Sequence, residues 1–164
     1  AIPVAMALEL RRRRYGEAVH FFVSDISGDA RDVATLNVVA HGLAHLFTFA
    51  EGDLTDVAPA PTGPVDLVVA NLPYIPTDQI AALPVEVSHD PRSALDGGVD
   101  GLDLVRRLVA DLPRLLRPCG GAILEIGEDQ ADTVAAFAAT AGLGVARRIK
   151  DPGGCERVVV LQPR

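Results

Sequence analysis

At 164 residues, 49% of them apolar and 23% charged, the chain is long enough for one globular domain with a core of its own. Its net charge of −7 argues against tight non-specific nucleic-acid binding, which rests on neutralising phosphates with Lys and Arg. No apolar run approaches membrane-spanning length, and the two cysteines, Cys119 and Cys155, lack metal-type spacing and read as free thiols in a reducing, cytoplasmic compartment.

Trp is absent and aromatics are scarce, so Val, Leu, Ile and Ala must build the core. The chain opens without an initiator Met, on Ala-Ile-Pro-Val-Ala, as a helix entered partway through a motif. That helix is predicted over Ile2 to Arg13, with Pro3 tolerated in its first turn. The basic run Arg11 to Arg14 reads as its solvated end. Val19 to Ser24 is predicted as a strand, ended by Asp25-Ile26-Ser27-Gly28. Ser27 or Gly28 then caps a helix over 29–40, which Gly42 stops. His45 to Ala50 is a short strand ended by Glu51-Gly52-Asp53, and 58–64 is a Pro-rich loop.

Asp66 to Ala70 is an apolar strand that stops abruptly in Asn71-Leu72-Pro73-Tyr74. Residues 75–101 are rich in Pro, Gly and Asp without periodicity, and a loop that long in a compact domain is usually functional or disordered. A strongly amphipathic helix follows over Leu102 to Leu116, tightened or kinked by Pro113. Gly120 and Gly121 turn into a strand over Ala122 to Ile126, and Glu128 to Ala141 is a helix. Two late strands, Val145 to Ile149 and Arg157 to Leu161, are joined by Asp151-Pro152-Gly153-Gly154 as a hairpin. Strand alternating with helix implies an α/β fold, mostly parallel, with helices on both faces and an antiparallel carboxyl-terminal edge.

Ligands of open α/β sheets bind beyond the carboxyl ends of the strands, so the residues there are the candidates. Asp25 can accept the ribose hydroxyls of an adenosyl ligand, or it can simply open a helix. Asp53 can take an adenine amino group or merely start a turn. Ile26 and Leu54 can flank a base or belong to the core. In Asn71-Leu72-Pro73-Tyr74 the Asn71 side-chain oxygen and the Leu72 carbonyl can accept both N–H bonds of a planar NH2 group. Pro73 fixes the turn and Tyr74 lays a ring on the planar group. Such a site suits methyl transfer to a poorly nucleophilic nitrogen, where positioning counts for more than a strong base. Glu125 and the four histidines read as structural, His89 being the exception to watch because of its place in the long loop.

These segments together resemble the HemK-type glutamine methyltransferases that modify peptide-chain release factors. The carrying stretches are 23–27 (Val-Ser-Asp-Ile-Ser), 51–54 (Glu-Gly-Asp-Leu), 66–76 (Asp-Leu-Val-Val-Ala-Asn-Leu-Pro-Tyr-Ile-Pro), 124–127 (Leu-Glu-Ile-Gly) and 156–160 (Glu-Arg-Val-Val-Val). The most specific is 89–103, His-Asp-Pro-Arg-Ser-Ala-Leu-Asp-Gly-Gly-Val-Asp-Gly-Leu-Asp, since amino methyltransferases in general share only the tetrapeptide. The resemblance implies a Rossmann-like class I fold dependent on S-adenosyl-L-methionine. It places Asp25 and Ile26 with Asp53 and Leu54 at the adenosine, and Asn71 beside both the donor and the substrate. The Leu72 carbonyl, Pro73 and Tyr74 would border the glutamine amide of a release factor's Gly-Gly-Gln loop. No metal and no membrane partner is expected.

Two departures stand against the family pattern. Position 72 is Leu where the family usually has Pro. The family's first strand, its glycine-rich loop and an amino-terminal helical domain would all precede Ala1, so 1–164 reads as an amino-terminally incomplete catalytic domain. The alternatives are an adenine amino methyltransferase acting on nucleic acid and an inactive methyltransferase-like binding module.

Overall fold

The computed structural model describes all residues except Gly16, Glu17, Pro59, Ala60, Glu86 and Ser88; part of the Pro-rich 58–64 loop and two positions of the 75–101 loop therefore lie outside the described residues. The chain divides into two compact units, Ala1–Thr62 and Gly63–Arg164.

The first unit carries α1 (Ile2–Arg12), β1 (Phe21–Asp25), α2 (Gly28–Ala40), β2 (Phe47–Asp53) and β3 (Asp56–Ala58). Its sheet has the order β1-β2-β3, parallel between β1 and β2 and antiparallel between β2 and β3. Aromatic residues, few as they are, gather here. Phe21 and Phe47 are register partners whose rings stack at 4.8 Å, and Phe49 stacks on Phe47 at 5.9 Å. They pack against Ala7 of α1, Val38 of α2, Leu43 and Leu46. The basic end of α1 is solvated as expected, with Glu9 accepting from both Arg12 and Arg13 at 2.6–2.7 Å. Those two guanidinium groups hold the Glu9 carboxyl down at about 2. Gly42, at φ +66°, takes the left-handed turn that ends α2.

The second unit carries β4 (Val65–Asn71), α3 (Asp103–Leu115), β5 (Leu116–Glu125), α4 (Ala131–Thr140), β6 (Leu143–Lys150) and β7 (Glu156–Pro163). Its sheet order is β4-β5-β7-β6, with β4 parallel to β5 and both β7 pairings antiparallel. The apolar stripe of α3 (Val105, Leu108, Val109, Leu112) buries against Ala122, Leu124 and Ile126, together with Val134 and Ala138 of α4 and Val159 and Leu161 of β7. Each large aliphatic side chain so buried stabilises the unit by about 1.5–3 kcal/mol.

Three elements differ from the sequence expectation, each for a local reason. β5 begins at Leu116, not Ala122, because Gly120 and Gly121 lie inside the strand, where a register irregularity between Val65 and Leu67 lets it bend. A side chain at Gly120 would crowd the Asp66 backbone carbonyl at 3.0 Å. The strand expected over 45–50 starts two residues later, at Phe47, after a short 3-10 turn over Ala44–Leu46, and runs on as β2 to Asp53. β3 has only three residues, too few to show periodicity, and follows a two-residue reversal in which Leu54 adopts φ +54°. The Asp151-Pro152-Gly153-Gly154 connection is a hairpin turn, closed by Asp151 N–H to the Cys155 carbonyl at 2.9 Å. Cys119 and Cys155 are both free thiols.

Candidate functional site

In the first unit the candidates converge on the carboxyl ends of β1 and β2. Asp25 is the last residue of β1, in register with Glu51 of β2. Its Oδ1 accepts the Ser27 N–H at 2.9 Å, and the Ser27 side chain accepts the Ala30 N–H at 3.2 Å as the cap of α2. Asp25 therefore opens the helix, yet a carboxylate has acceptor capacity well beyond one bond. Ile26, at the tip of this turn, leaves 64% of its surface exposed, far too much for a core residue. Asp53 ends β2 and Leu54 follows it, close to the end of β1, since the Ser24 hydroxyl donates to the Leu54 carbonyl at 3.4 Å. Arg31 of α2 reaches Glu51 at 3.0 Å and braces the β2 end from the helix side.

In the second unit Asn71 ends β4, opposite Glu125 at the end of the parallel strand β5. Asn71 is exposed, and its side-chain amide makes no hydrogen bond to another described residue. Leu72 turns the other way: its side chain packs against the core cluster of the unit. The departure from Pro at this position thus adds core contact, while the backbone carbonyl is common to both residues. Pro73 and Tyr74 follow, both half-buried.

The 75–101 segment is organised around this tetrapeptide. Ile75 forms an isolated parallel bridge with Asp96. Ile75 N–H donates to the Leu95 carbonyl at 3.0 Å, Gly97 N–H to the Ile75 carbonyl at 2.9 Å, and Thr77 N–H to the Gly98 carbonyl at 2.9 Å. The residues just after Tyr74 therefore pair with the heart of the 89–103 block as a strand fragment. Asp96 is the hub of that block. Its Oδ1 accepts the Thr77 hydroxyl at 2.6 Å and the Gly98 N–H at 3.1 Å, and its Oδ2 accepts two Arg92 guanidinium bonds at 3.0 Å. The Thr77 hydroxyl first, then the Gly98 amide and Arg92, hold the Asp96 carboxyl below its ordinary value.

Two glycines let the block close onto the tetrapeptide. A side chain at Gly97 would meet the Pro73 carbonyl at 2.7 Å, and one at Gly101, which sits at φ +73°, would collide with the Tyr74 carbonyl. Both positions require close backbone approach, one of them with a left-handed conformation as well. At the far end, Arg106 of α3 binds Asp100 at 2.7 Å and Asp103 at 2.9 Å while lying over the Phe137 ring at 4.8 Å.

One residue in this region carries almost no signal in the sequence. Gln130, at the start of α4, is 9% exposed. Its Oε1 accepts the Gly127 N–H at 2.8 Å, and its Nε2 donates to the Tyr74 carbonyl at 3.0 Å and reaches the Gly101 carbonyl at 3.5 Å. A Gln in the first turn of a helix reads as surface; only the Leu-Glu-Ile-Gly strand ending three residues earlier hints that it lies at the carboxyl edge of the sheet. Cys155, by contrast, has no site character: the Glu128 carboxylate 3.3 Å from its sulfur pushes the thiol up, away from the reactive thiolate.

No protein-family model matches the chain. Among curated proteins it is 42% identical over 158 residues to a release factor glutamine methyltransferase of Gloeobacter violaceus, which covers 95% of this chain and 54% of that protein. It is 48% identical over 103 residues to a ribosomal protein uL3 glutamine methyltransferase of Bradyrhizobium diazoefficiens, covering 63% of this chain and 32% of that protein. The chain thus spans about half the length, or less, of these relatives. Among solved structures it superposes on a ribosomal protein L11 methylase from Lactobacillus delbrueckii subsp. bulgaricus with a TM-score of 0.63 at 15% identity, over 88% of this chain and 58% of that one. That likeness establishes the Rossmann-like class I fold expected from the sequence.

Proposed function

The chain belongs to the HemK-type family of class I glutamine methyltransferases, and we propose on that footing that it moves a methyl group from S-adenosylmethionine to the side-chain nitrogen of a protein glutamine. The glutamine of a release factor's Gly-Gly-Gln loop is the substrate that the relatives' names favour. A translation factor as substrate places the reaction in the cytoplasm. The observation that carries the reading is Asn71: an exposed amide at the carboxyl end of a parallel strand, free of hydrogen bonds to other described residues, on a tetrapeptide that the 95–98 backbone holds in place.

Asn71 Oδ1 and the Leu72 carbonyl accept the two N–H bonds of the substrate NH2. This would turn the nitrogen and take up the positive charge it gains as the methyl carbon passes to it from the sulfonium sulfur, whose carbon–sulfur bond breaks to leave a neutral thioether; one N–H proton would then pass to water. The Tyr74 ring lies along the planar amide. Holding the amide in one orientation replaces the search that a weak nucleophile would otherwise make, which is the larger part of what such a site contributes.

The first unit's residues suit an adenosyl ligand. Asp25 retains acceptor capacity for ribose hydroxyls beyond its bond to Ser27, Asp53 suits the adenine amino group, and the exposed Ile26 with Leu54 offers apolar flanks. S-adenosylmethionine, when bound, supplies a methyl group on a positively charged sulfonium. The test is a labelled-methyl assay that offers a release factor, ribosomal protein uL3 and adenine-containing DNA side by side. Label in the release factor is expected. Label in uL3 alone would move the substrate to the one named for the second relative, and label in DNA alone would overturn glutamine methylation altogether.

A further inference from the structure

We infer that Gln130 is the positioning residue that fixes the Asn71–Tyr74 tetrapeptide, an inference that rests on the methyl-transfer reading only for its catalytic consequence. Among the described residues Gln130 is the one buried polar or charged side chain. Its amide spends both ends on backbone: the acceptor end on Gly127, in the turn after β5, and the donor end on the Tyr74 and Gly101 carbonyls. Three segments that are distant in sequence, the tetrapeptide, the 97–103 loop and the β5–α4 turn, are thus joined by one planar group.

The surroundings leave it little freedom. Side-chain volume at Gly101 would crowd Gln130 Nε2 at 2.9 Å, and at Gly127 would crowd its Oε1 at 3.0 Å, so glycines line both sides of the amide. Gln130 is also anchored along its own backbone, because its carbonyl accepts the Val134 N–H at 3.0 Å in the first turn of α4. The amide is therefore presented by a rigid helix start, and the Tyr74 carbonyl is set by the helix, not by the loop that carries it. Asn71 and the Leu72 carbonyl lie within three residues of that anchor on a chain already stiffened by Pro73. A shift of Tyr74 is passed directly to the two acceptors that hold the substrate nitrogen.

The chain has no Trp and two tyrosines, Tyr15 and Tyr74, so a Tyr15→Phe background makes Tyr74 the sole fluorophore of this class. In that background Gln130→Met, which keeps length and apolar volume but removes both ends of the amide, is expected to raise acrylamide quenching of Tyr74 about twofold or more as the anchor opens locally. Val134→Ala, a cavity variant in the same helix, serves as the control and is expected to lower the melting temperature while leaving Tyr74 quenching as it was. Gln130→Glu, read near pH 9 where the new carboxyl is ionised and only acceptors remain, is expected to loosen Tyr74 in the same way, because Gly127 keeps its partner and the Tyr74 carbonyl does not. In a methyl-transfer assay the Gln130 variants should lose about 10²-fold in kcat with donor affinity unchanged, the cost of small misplacement of reacting groups.

Quenching that stays at the parent value in both Gln130 variants, or that rises equally in Val134→Ala, overturns the inference. So does failure of both Gln130 variants to fold, since the residue would then hold the fold and not the tetrapeptide. If the unaltered protein transfers no methyl to any acceptor, the functional reading fails while the quenching comparison still decides the role of Gln130.

Discussion

The turn after β1 and the tetrapeptide after β4 both close a parallel strand at its carboxyl end, yet they are held by different kinds of bond. Asp25 and Ser27 satisfy the start of α2 through contacts two and three residues away, and the turn is exposed throughout. Asn71 to Tyr74 make no such local bonds. Their place is set by Ile75 pairing with Leu95 and Gly97, by Thr77 with Gly98, and by Gln130 across fifty-six positions of sequence. On the proposed reading, the turn after β1 meets a small donor molecule, for which short-range capping suffices. An acceptor site that must aim a weak nucleophile needs a frame fixed from outside its own segment.

The contrast predicts unequal responses to substitution. Asn71→Ala should lower methyl transfer by about 10²–10³-fold, the range for loss of a group that stabilises developing charge, with donor affinity by calorimetry left intact. An equal fall in both would move Asn71 to the donor's side. Gly101→Ala should destabilise the second unit by about 1–3 kcal/mol, through its positive φ and the clash with the Tyr74 carbonyl, visible as an earlier urea midpoint. The same exchange at Gly63, where added volume meets nothing within 4 Å, should leave the midpoint where it was.

Asp25→Asn probes the locally built half. The amide oxygen can still accept from Ser27, so the melting temperature should hardly move, while donor affinity should fall about tenfold or more with loss of charge-assisted bonds to the ribose. A large stability loss instead would make Asp25 a helix residue and nothing else.

The smallest effect expected is with pH. Asp96 is held below the ordinary carboxylate value when folded, so its contribution is complete at neutral pH. It is lost as pH falls below the unfolded value of about 3.9 and through the lower folded one. Tyr74 quenching in the Tyr15→Phe background should rise across that window, and less so in Asp96→Asn. A rise that begins near neutrality would assign the loosening to another group.

Much of this was legible in the residues. The tetrapeptide ends a strand as its apolar run required, Ser27 caps α2, and the α3 stripe of Val105, Leu108, Val109 and Leu112 is buried as its spacing demanded. The misses share a cause. β5 through Gly120 and Gly121, the three-residue β3 and the order within 75–101 all depend on what lies across from them, and no periodicity within a segment encodes that. Gln130 is the extreme case: its amide is paired with carbonyls at Tyr74 and Gly101, and only the Leu-Glu-Ile-Gly stretch that ends three residues before it hints at its place.

The strand order β4-β5-β7-β6 also has a kinetic reading. β6 and β7 are joined by a five-residue connection, 151–155, and can pair as soon as they are made, whereas β4 meets β5 only when residue 71 finds residue 125. Closing that long loop costs entropy before any contact rewards it, so the hairpin should form early and the β4–β5 seam late. Native-state hydrogen exchange would then find the amides of β7 among the best protected and those of β4 opening first. Asn71 stands at the end of that seam. The acceptor site would be assembled in the last step of folding and would be the first part of the unit lost under mild stress, well before the α3–β7 core gives way.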